Sequence, residues 1–198
     1  MNQQERLWAG KFGNDYHERN AIRDPVKYWE GVLWGRLGNV HSAVEFGAGK
    51  GDNLVALRTL IGPSHNQLTG VEINANACMI MRDNKLDAAH CPAREFMSAV
   101  AYDLAFTRGF LIHVPTGSVN ATLDKIYKSS RRFICLAEYY SPKRRQVTYH
   151  GKQQALWTDD FAGRMMELHP ELQLVNYGFD YHLKGGDDLT YFLMEKPQ

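Results

Sequence analysis

The stretch from Val44 to Asn53 reads VEFGAGKGDN, with three glycines within five residues. Glycine-rich turns that join a strand to a helix occur in phosphate-binding, dinucleotide-binding and sulfonium-cofactor sites, and their spacing differs. A phosphate loop needs glycine at position 44 and serine or threonine at position 51, where this chain has Val44 and Gly51. The dinucleotide fingerprint needs its third glycine at position 52, which is Asp52. Both alternatives are therefore excluded by spacing.

The spacing that remains is Gly-x-Gly-x-Gly, formed by Gly47, Gly49 and Gly51, with Glu45 two residues before the first glycine. This pattern is typical of S-adenosylmethionine (SAM) sites. Glycines let the backbone pass under the methionine part of SAM, where a Cβ atom would collide. A carboxylate near the loop suits the cationic amino group of that part. Taken alone, the loop could also be a tight strand-to-helix turn without a ligand.

A second acidic position supports the SAM interpretation. The predicted strand TGVEIN ends in Glu72, 25 residues after Gly47, where a carboxylate can accept hydrogen bonds from both ribose hydroxyls. Ile73 beside it offers an apolar face to the adenine. Glu95, at the end of a weak third strand, is a candidate for the adenine amino group, although a surface acid is the alternative there. For Glu72 the alternative is an exposed acid at a strand end.

The segments around these motifs alternate between strand-like and helix-like patterns. Strands are expected at 42–46, 67–73, 88–93, 102–107, 131–140, 172–183 and 187–196, and helices at 24–38, 52–61, 74–86, 117–130 and 161–169, the last one capped by Thr158, Asp159 or Asp160. This order predicts an α/β fold with a mostly parallel seven-stranded sheet and helices on both faces. The two final strands form a hairpin that would add an antiparallel edge strand. It is the element order of a class I methyltransferase (Rossmann-like) fold.

Composition limits the class of protein. The chain has 198 residues, 44% of them hydrophobic and 23% charged, which favours one soluble domain over residues 1–198. The net charge of +1 gives no global electrostatic reason for a nucleic-acid partner. Three cysteines in no paired spacing and no short His/Cys pair argue for a reducing compartment and against a metal site. No apolar run has signal-peptide or membrane-spanning character, so a cytoplasmic location is expected.

Several sequence blocks point beyond the fold: WAG-FG--Y--RN near the start, then GFLIH, EYY-P and YGF-YH. In this order, and over nearly the whole chain, they resemble the pseudaminic acid biosynthesis-associated methylase family. Its members are small SAM-dependent methyltransferases linked to nonulosonic acid and surface-polysaccharide gene sets. The resemblance implies SAM binding by the three glycines and Glu72, with Glu45 and Glu95 in support. It also implies a helical N-terminal cap, residues 1–38, that closes over the cofactor.

The resemblance assigns three residues of that cap to the cofactor: Tyr16, Arg19 and Asn20. It does not identify the methyl acceptor. The chain departs from the family pattern at His150, where the family tends to have arginine, and at Lys152, where it tends to have histidine. If that loop contacts the acceptor, the departure puts the substrate in doubt.

Acceptor-side residues are expected where the fourth and fifth strands end, because ligands of such sheets bind at the carboxyl ends of the strands. The candidates that follow the two strands are Thr107, beside the cofactor, then Arg108, His113, Glu138, Tyr139, Tyr140 and an acceptor-side loop over residues 139–157. His113 has the pKa range of a general base, or else it only packs. Glu138 is catalytic, acceptor-binding or a satisfied strand-end acid. His150 is a further candidate base.

A basic segment within that loop carries Lys143, Arg144 and Arg145, interleaved with Tyr139, Tyr140 and Tyr149. Such a set can hold an anionic acceptor: a sugar acid, a nucleotide-linked sugar or a nucleic-acid backbone. The alternative is a solvated loop whose charges keep it soluble.

The leading hypothesis is a SAM-dependent methyltransferase acting on a small polar acceptor, a sugar or sugar nucleotide of nonulosonic acid or surface-glycan biosynthesis. An alternative is a methyltransferase of nucleic acid or a modified base, in a phage or DNA-modification context. The near-neutral charge argues against it, as does TRGF in place of the N/D-P-P-Y/F tetrapeptide. A SAM-binding protein without catalysis is the third hypothesis. Monomer and homodimer both remain open.

Overall fold

A computed structural model describes residues 1–19, 25–62, 67–149, 152–184 and 187–197. The helices in these ranges are α1 (Gln3–Ala9), α2 (Lys11–Arg19), α3 (Val26–Val32), α4 (Asp52–Ile61), α5 (Ala75–Asp83), α6 (Val119–Ser129) and α7 (Phe161–Leu168). The strands are β1 (Ser42–Phe46), β2 (Gln67–Glu72), β3 (Asp87–His90), β4 (Tyr102–Arg108), β5 (Ser130–Glu138), β6 (Arg145–Tyr149), β7 (Lys152–Thr158), β8 (Gln173–Asp180) and β9 (Leu189–Glu195). No helix in the described ranges is long and apolar enough to cross a membrane.

The main sheet has seven strands in the order β3-β2-β1-β4-β5-β9-β8. All are parallel except β9, which is antiparallel to both β5 and β8. The predicted mostly parallel sheet and terminal hairpin are thus confirmed. The antiparallel strand was expected at the edge, and that detail is wrong: β9 lies one strand inside, and β8 is the edge. Leu193 and Met194 of β9 are fully buried, whereas every residue of β8 is exposed or half-buried. The inner position of β9 therefore removes its apolar side chains from water.

Both faces of the sheet are covered, which explains why β1 is buried along its whole length, and β4 along all but its last residue, rather than at alternate positions. Val44 of β1 belongs to a core with Leu123 and Met165 of α6 and α7. Its neighbour Ala43 belongs to a second core, which includes Trp29 of α3 and residues of α4 and α5. The glycine loop between β1 and α4 is therefore held between two rigid layers.

Two segments differ from expectation. The helix predicted over 24–38 is shorter in the structure, where it is α3 (Val26–Val32). Gly35 adopts a left-handed φ of 71°, and a 3-10 turn follows at Leu37–Asn39. The segment 139–157 is not an open loop, since it contains the antiparallel β6–β7 hairpin, which forms a small sheet of its own. Elsewhere the bounds agree to within a few residues, and α7 begins with Asp160 as its cap, its carboxylate accepting from the Gly163 amide at 2.7 Å.

Candidate functional site

A cavity of about 880 Å³ opens at the edge of the sheet where β1, β2, β4 and β5 end. Loops after these strands line one side, and residues of α1 and α2 line the other. This volume is within the range of sites for small molecules and cofactors. It lies at the carboxyl ends of the strands, as the sequence predicts for a ligand site.

The glycine loop forms part of the cavity wall. Gly47, Gly49 and Gly51 all have left-handed φ values, of 72°, 54° and 84°. A Cβ atom on Gly47 would lie 2.3 Å from the ring of Phe110, and one on Gly51 would lie 2.6 Å from Leu86. Packing against Phe110 therefore requires glycine at position 47, and the left-handed φ favours glycine at all three positions.

Glu45 is the most unusual group in the cavity wall. Its side chain is 1% exposed, and its Oε1 accepts a 2.7 Å hydrogen bond from Asn53, which in turn accepts one from the Trp29 indole at 3.1 Å. Its Oε2 is also buried, and no group in the described part of the chain donates to it. Burial raises the pKa of this carboxyl well above its usual value. Buried carboxylate oxygens are normally paired, so this one calls for a donor from a ligand.

Glu72 connects the loops after β1 and β2. Its carboxylate accepts three backbone N–H bonds, from Gly49 at 2.9 Å and from Ile73 and Asn74 at 2.8 Å each. Burial raises its pKa, although these bonds oppose the rise. Oε1 already accepts two of these bonds and Oε2 accepts one, so Oε2 can still accept a bond from the cavity that Glu72 and Ile73 line.

The N-terminal helices are attached to this wall at two points. Arg94 donates from Nε and Nη2 to the Glu5 carboxylate, at 2.8 and 3.2 Å. Asn74 donates from its amide to the Asn14 side chain at 2.8 Å and to the Trp8 carbonyl at 3.2 Å. Helices α1 and α2 therefore cover one side of the cavity.

Aromatic rings line the cap side of the cavity. Trp8 contacts Tyr16 edge-to-face with ring centroids 5.2 Å apart, and it contacts His113 at 4.5 Å. His113 ends a 3-10 turn at Leu111–His113, directly after β4. Tyr16 and His113, both predicted from the sequence, thus line the cavity around a tryptophan that was not predicted as a site residue.

Glu138, predicted as a catalytic candidate, does not line the cavity. It is 3% exposed behind the loop that follows β4, where it accepts from the amides of Phe110 at 3.2 Å, Leu111 at 3.0 Å and Ile112 at 3.3 Å. Burial raises its pKa to about 7. The alternative of a satisfied strand-end acid is what the geometry supports, because both oxygens are used to hold the loop.

Another part of the cavity wall is built on Arg108, the last residue of β4, whose charge also acts on the Glu45 carboxyl. Its Nη2 lies 2.9 Å from Asp180 and 2.9 Å from Asp187, and its guanidinium carbon lies 4.9 Å from the centre of the Tyr28 ring. Strand β9 is antiparallel, so its beginning meets the carboxyl ends of β5 and β8 at this edge. Tyr139 lines the same end, and burial raises its pKa.

The predicted basic segment does not face the cavity. Arg144 donates to Asp159 at 3.0 Å, to Thr116 at 2.9 Å and to the Val114 carbonyl at 2.9 Å, so its guanidinium holds parts of the fold together. Lys143 is exposed, and it does not line the cavity. For these two residues the structure corrects the expectation of a site for an anionic acceptor.

Three other predicted residues also lie outside the cavity lining. Tyr140 is 47% exposed and contacts Phe192, with ring centroids 5.9 Å apart. The side chain of Glu95 is 53% exposed and pairs with Arg94 at 2.6 Å. Thr107 is fully buried within β4. Each was placed at the site because it lies near a strand end, which does not determine the side to which a side chain points.

Four predicted residues cannot be located in the cavity. Asn20 and His150 lie outside the described residues. Arg19 and Tyr149 are described only as the last residues of α2 and β6.

Five residues that shape the site were not predicted: Trp8, Asn53, Asn74, Asp180 and Asp187. A signal existed for the two aspartates. They flank the turn of the terminal hairpin, and that turn lies at the carboxyl edge of the sheet once β8 is parallel to β4. Asn53 is the second residue of α4 and Asn74 caps the beginning of α5. Their partners Trp29 and Asn14 are distant in the sequence.

Comparisons with known proteins bear on the fold. A scan against protein-family models finds no match, a search of curated proteins finds none either, and the resemblance to the pseudaminic acid-associated family is not confirmed. Solved structures do match. The N1-methyltransferase of 1,6-didemethyltoxoflavin from Burkholderia thailandensis, with bound S-adenosylhomocysteine, has a TM-score of 0.69 at 16% identity and covers 94% of this chain and 83% of its own.

Two further structures are similar over nearly their full lengths. Magnesium protoporphyrin IX methyltransferase from Synechocystis PCC 6803, with bound SAM, has a TM-score of 0.68 at 13% identity, covering 100% of this chain and 99% of its own. A sugar N-methyltransferase from Streptoalloteichus sp ATCC 53650 has a TM-score of 0.70 at 11% identity, covering 96% and 94%. At these identities the likeness establishes the class I methyltransferase fold.

Proposed function

We propose that this protein is a SAM-dependent methyltransferase that acts on a small polar acceptor. The observation that carries the proposal is the unpartnered Oε2 of Glu45, buried in the cavity wall directly before the glycine loop. Glu45 would receive the amino group of the cofactor's methionine part, and Oε2 of Glu72 would accept a hydrogen bond from a ribose hydroxyl. Ile73 would contact the adenine. When bound, SAM supplies a methyl group activated by a sulfonium.

The chain's own residues would exclude water and handle the acceptor. Trp8 and Tyr16 cover the cavity from the cap side, which keeps bulk water from the reacting groups. His113 lines the cavity and is the candidate to take a proton from an acceptor hydroxyl or ammonium. Arg108 and Tyr139, which also line the cavity, would orient the acceptor.

For the acceptor, we propose a sugar or sugar nucleotide of nonulosonic acid or surface-glycan biosynthesis. The sequence blocks described above support it, and so does the similarity in fold to a sugar N-methyltransferase. A nucleic-acid acceptor has less support, because Arg144 is occupied by Asp159 and the basic segment lies outside the cavity.

The cofactor proposal is tested by calorimetric titration with S-adenosylhomocysteine. We expect the wild type to bind, and Glu45→Gln to bind about ten-fold more weakly or worse, because a hydrogen bond to a charged group is lost. Glu95→Gln makes the same chemical change at an acid outside the cavity and should match the wild type. An absence of heat with the wild type, or equal weakening by both variants, would refute the proposal.

The reaction is tested by transfer of labelled methyl groups into cell-extract pools of sugars, sugar nucleotides and nucleic acids. We expect label in the sugar-containing pools. Label confined to polynucleotide would overturn the proposed acceptor. Binding of the cofactor product without transfer to any pool would instead favour a SAM-binding protein without catalysis.

A further inference from the structure

The helix cover on one face of the main sheet ends before the edge strand β8. On the other face, Asn176 of β8 donates from its amide to the Val32 carbonyl of α3 at 2.9 Å. Side chains alternate along a strand, so Tyr177 and Phe179 point away from α3, where they are 68% and 57% exposed. Tyr181, two residues further on, is 43% exposed. Solvent-facing positions of a sheet are usually polar, so a row of exposed aromatic residues indicates a contact surface.

Two more aromatic residues extend this surface. Phe192 lies opposite Tyr177 on β9, and the two rings stack with centroids 6.5 Å apart. Tyr140, which follows β5, contacts Phe192 at 5.9 Å, and Phe179 contacts Tyr181 at 6.1 Å. These five residues form an aromatic ledge. The sequence block EYY-P supplies Tyr140 and the block YGF-YH supplies three of the others, so two distant blocks meet on one surface, and none of the five residues lines the cavity.

The aromatic ledge is flat rather than hollow. The recess beside it, lined by Tyr140 and Phe192, has a volume of about 10 Å³, which is room for at most one water molecule. A small molecule needs a concave pocket, so the ledge does not suit one. A second flat surface does fit it, as when two sheets pack face to face.

The charges around the ledge favour a second copy of this chain over a charged partner. Within β8 the only charged residue is Asp180, whose side chain alternation directs to the other face, where Arg108 binds it at 2.9 Å. Two identical ledges would therefore meet without repulsion between like charges. The net charge of the chain is only +1, which does not keep copies apart. Strand β8 also has no lysine or proline, the residues that commonly protect edge strands from association.

The exposed area also suits a second copy. With about 200 Å² for a whole aromatic side chain, the exposed fractions give the ledge about 450 Å² of accessible side chain. Two copies packed ledge to ledge would bury about 900 Å² from the ledges alone, and specific interfaces begin near 1,200 Å². The rim supplies the remainder: Leu174, on the same face of β8, is 42% exposed. A twofold axis places the same surface on both copies, so no other surface is needed.

We propose that the aromatic ledge is the contact surface of a homodimer, in which two copies pack ledge to ledge about a twofold axis. The interface is small, so its dissociation constant is expected to be on the order of micromolar. The inference does not depend on the proposed function, because the ledge lies outside the cavity lining.

The test is sedimentation velocity of the full chain over concentrations from about 0.5 to 100 µM, which bracket the expected constant. We expect the wild type to pass from monomer to dimer in this range. Phe179→Glu places a carboxylate in each ledge and should weaken association at least about ten-fold. Met97→Glu adds the same charge at a residue that is 85% exposed, in the segment after β3 at the opposite edge of the sheet, and should dimerise like the wild type.

A second variant guards against a folding defect. Tyr177→Ser removes one ring of the ledge without adding a charge and should also weaken the dimer, and melting temperatures check that each variant folds. A wild type that stays monomeric throughout the range would overturn the inference and leave the ledge to a different occupant. Dimers that persist unchanged in Phe179→Glu and Tyr177→Ser, or that Met97→Glu weakens equally, would place the interface elsewhere and overturn it as well.

Discussion

The pH dependence of stability gives a sharp test of the role of Glu138. This carboxyl is buried at the end of β5, and its oxygens accept three amide bonds from the loop that carries Phe110 and Ile112 into the cavity. Burial raises its pKa from 4.5 to about 7. Glu138 thus acts as a support of the cavity wall whose charge changes near neutral pH.

The sign and size of the effect follow from linkage. Between pH 4.5 and 7 the folded protein keeps the proton on Glu138 while the unfolded chain releases it. The contribution of Glu138 to the free energy of unfolding therefore falls as pH rises through this interval. A shift of this size corresponds to a loss of about 3 kcal/mol by pH 8.

The assay is guanidinium unfolding of the wild type and Glu138→Gln at pH 5, 6, 7 and 8. Glutamine is neutral throughout, so the stability advantage of the wild type over the variant should shrink by about 2–3 kcal/mol from pH 5 to pH 8, since part of the full loss has already occurred at pH 5. Histidines titrate in both proteins and cancel in the difference. Glu167→Gln, which removes an exposed carboxyl on α7, controls for the loss of one ionisable group.

A difference that stays constant with pH would refute the reasoning, since it would mean that Glu138 has the same pKa in the folded and unfolded chains. A stability difference that grows with pH would mean that the pKa of Glu138 is lowered in the folded protein. The three amide bonds would then stabilise the anion more than burial destabilises it.

Two further predictions concern packing and are measured by chemical unfolding. Gly47→Ala should cost about 1–3 kcal/mol more than Gly62→Ala, because both positions have left-handed φ but only the new Cβ at 47 meets a neighbour, Phe110. Equal losses would contradict the contact. Arg144→Ala should cost about 3 kcal/mol, since it removes a largely buried ion pair, whereas Arg145→Ala, at an exposed position, should have little effect. Equal effects of the two arginine variants would instead support the interpretation that the basic segment is a solvated loop.

The amino-acid sequence by itself determined the order of elements and the donor side of the site. Apolar runs that bury both faces of a parallel sheet are local patterns, and so are glycines that need left-handed φ, as at Gly47 and Gly51. Glu45 was predicted because it stands two residues before the first glycine, and Glu72 because it ends the next strand, where the carboxyl ends of parallel strands meet at one edge.

Only the tertiary structure decided which side chains face the cavity. Glu138 ends β5, and Tyr139 and Arg144 follow it. Glu138 supports a loop and Arg144 pairs with Asp159, whereas Tyr139 lines the cavity. Sequence position near a strand end is shared by all three. The direction of a side chain depends on partners distant in the sequence, and these are brought together only by the packed fold. The position of Asp187 beside Arg108 has the same origin, because it follows from the inner position of β9 in the sheet.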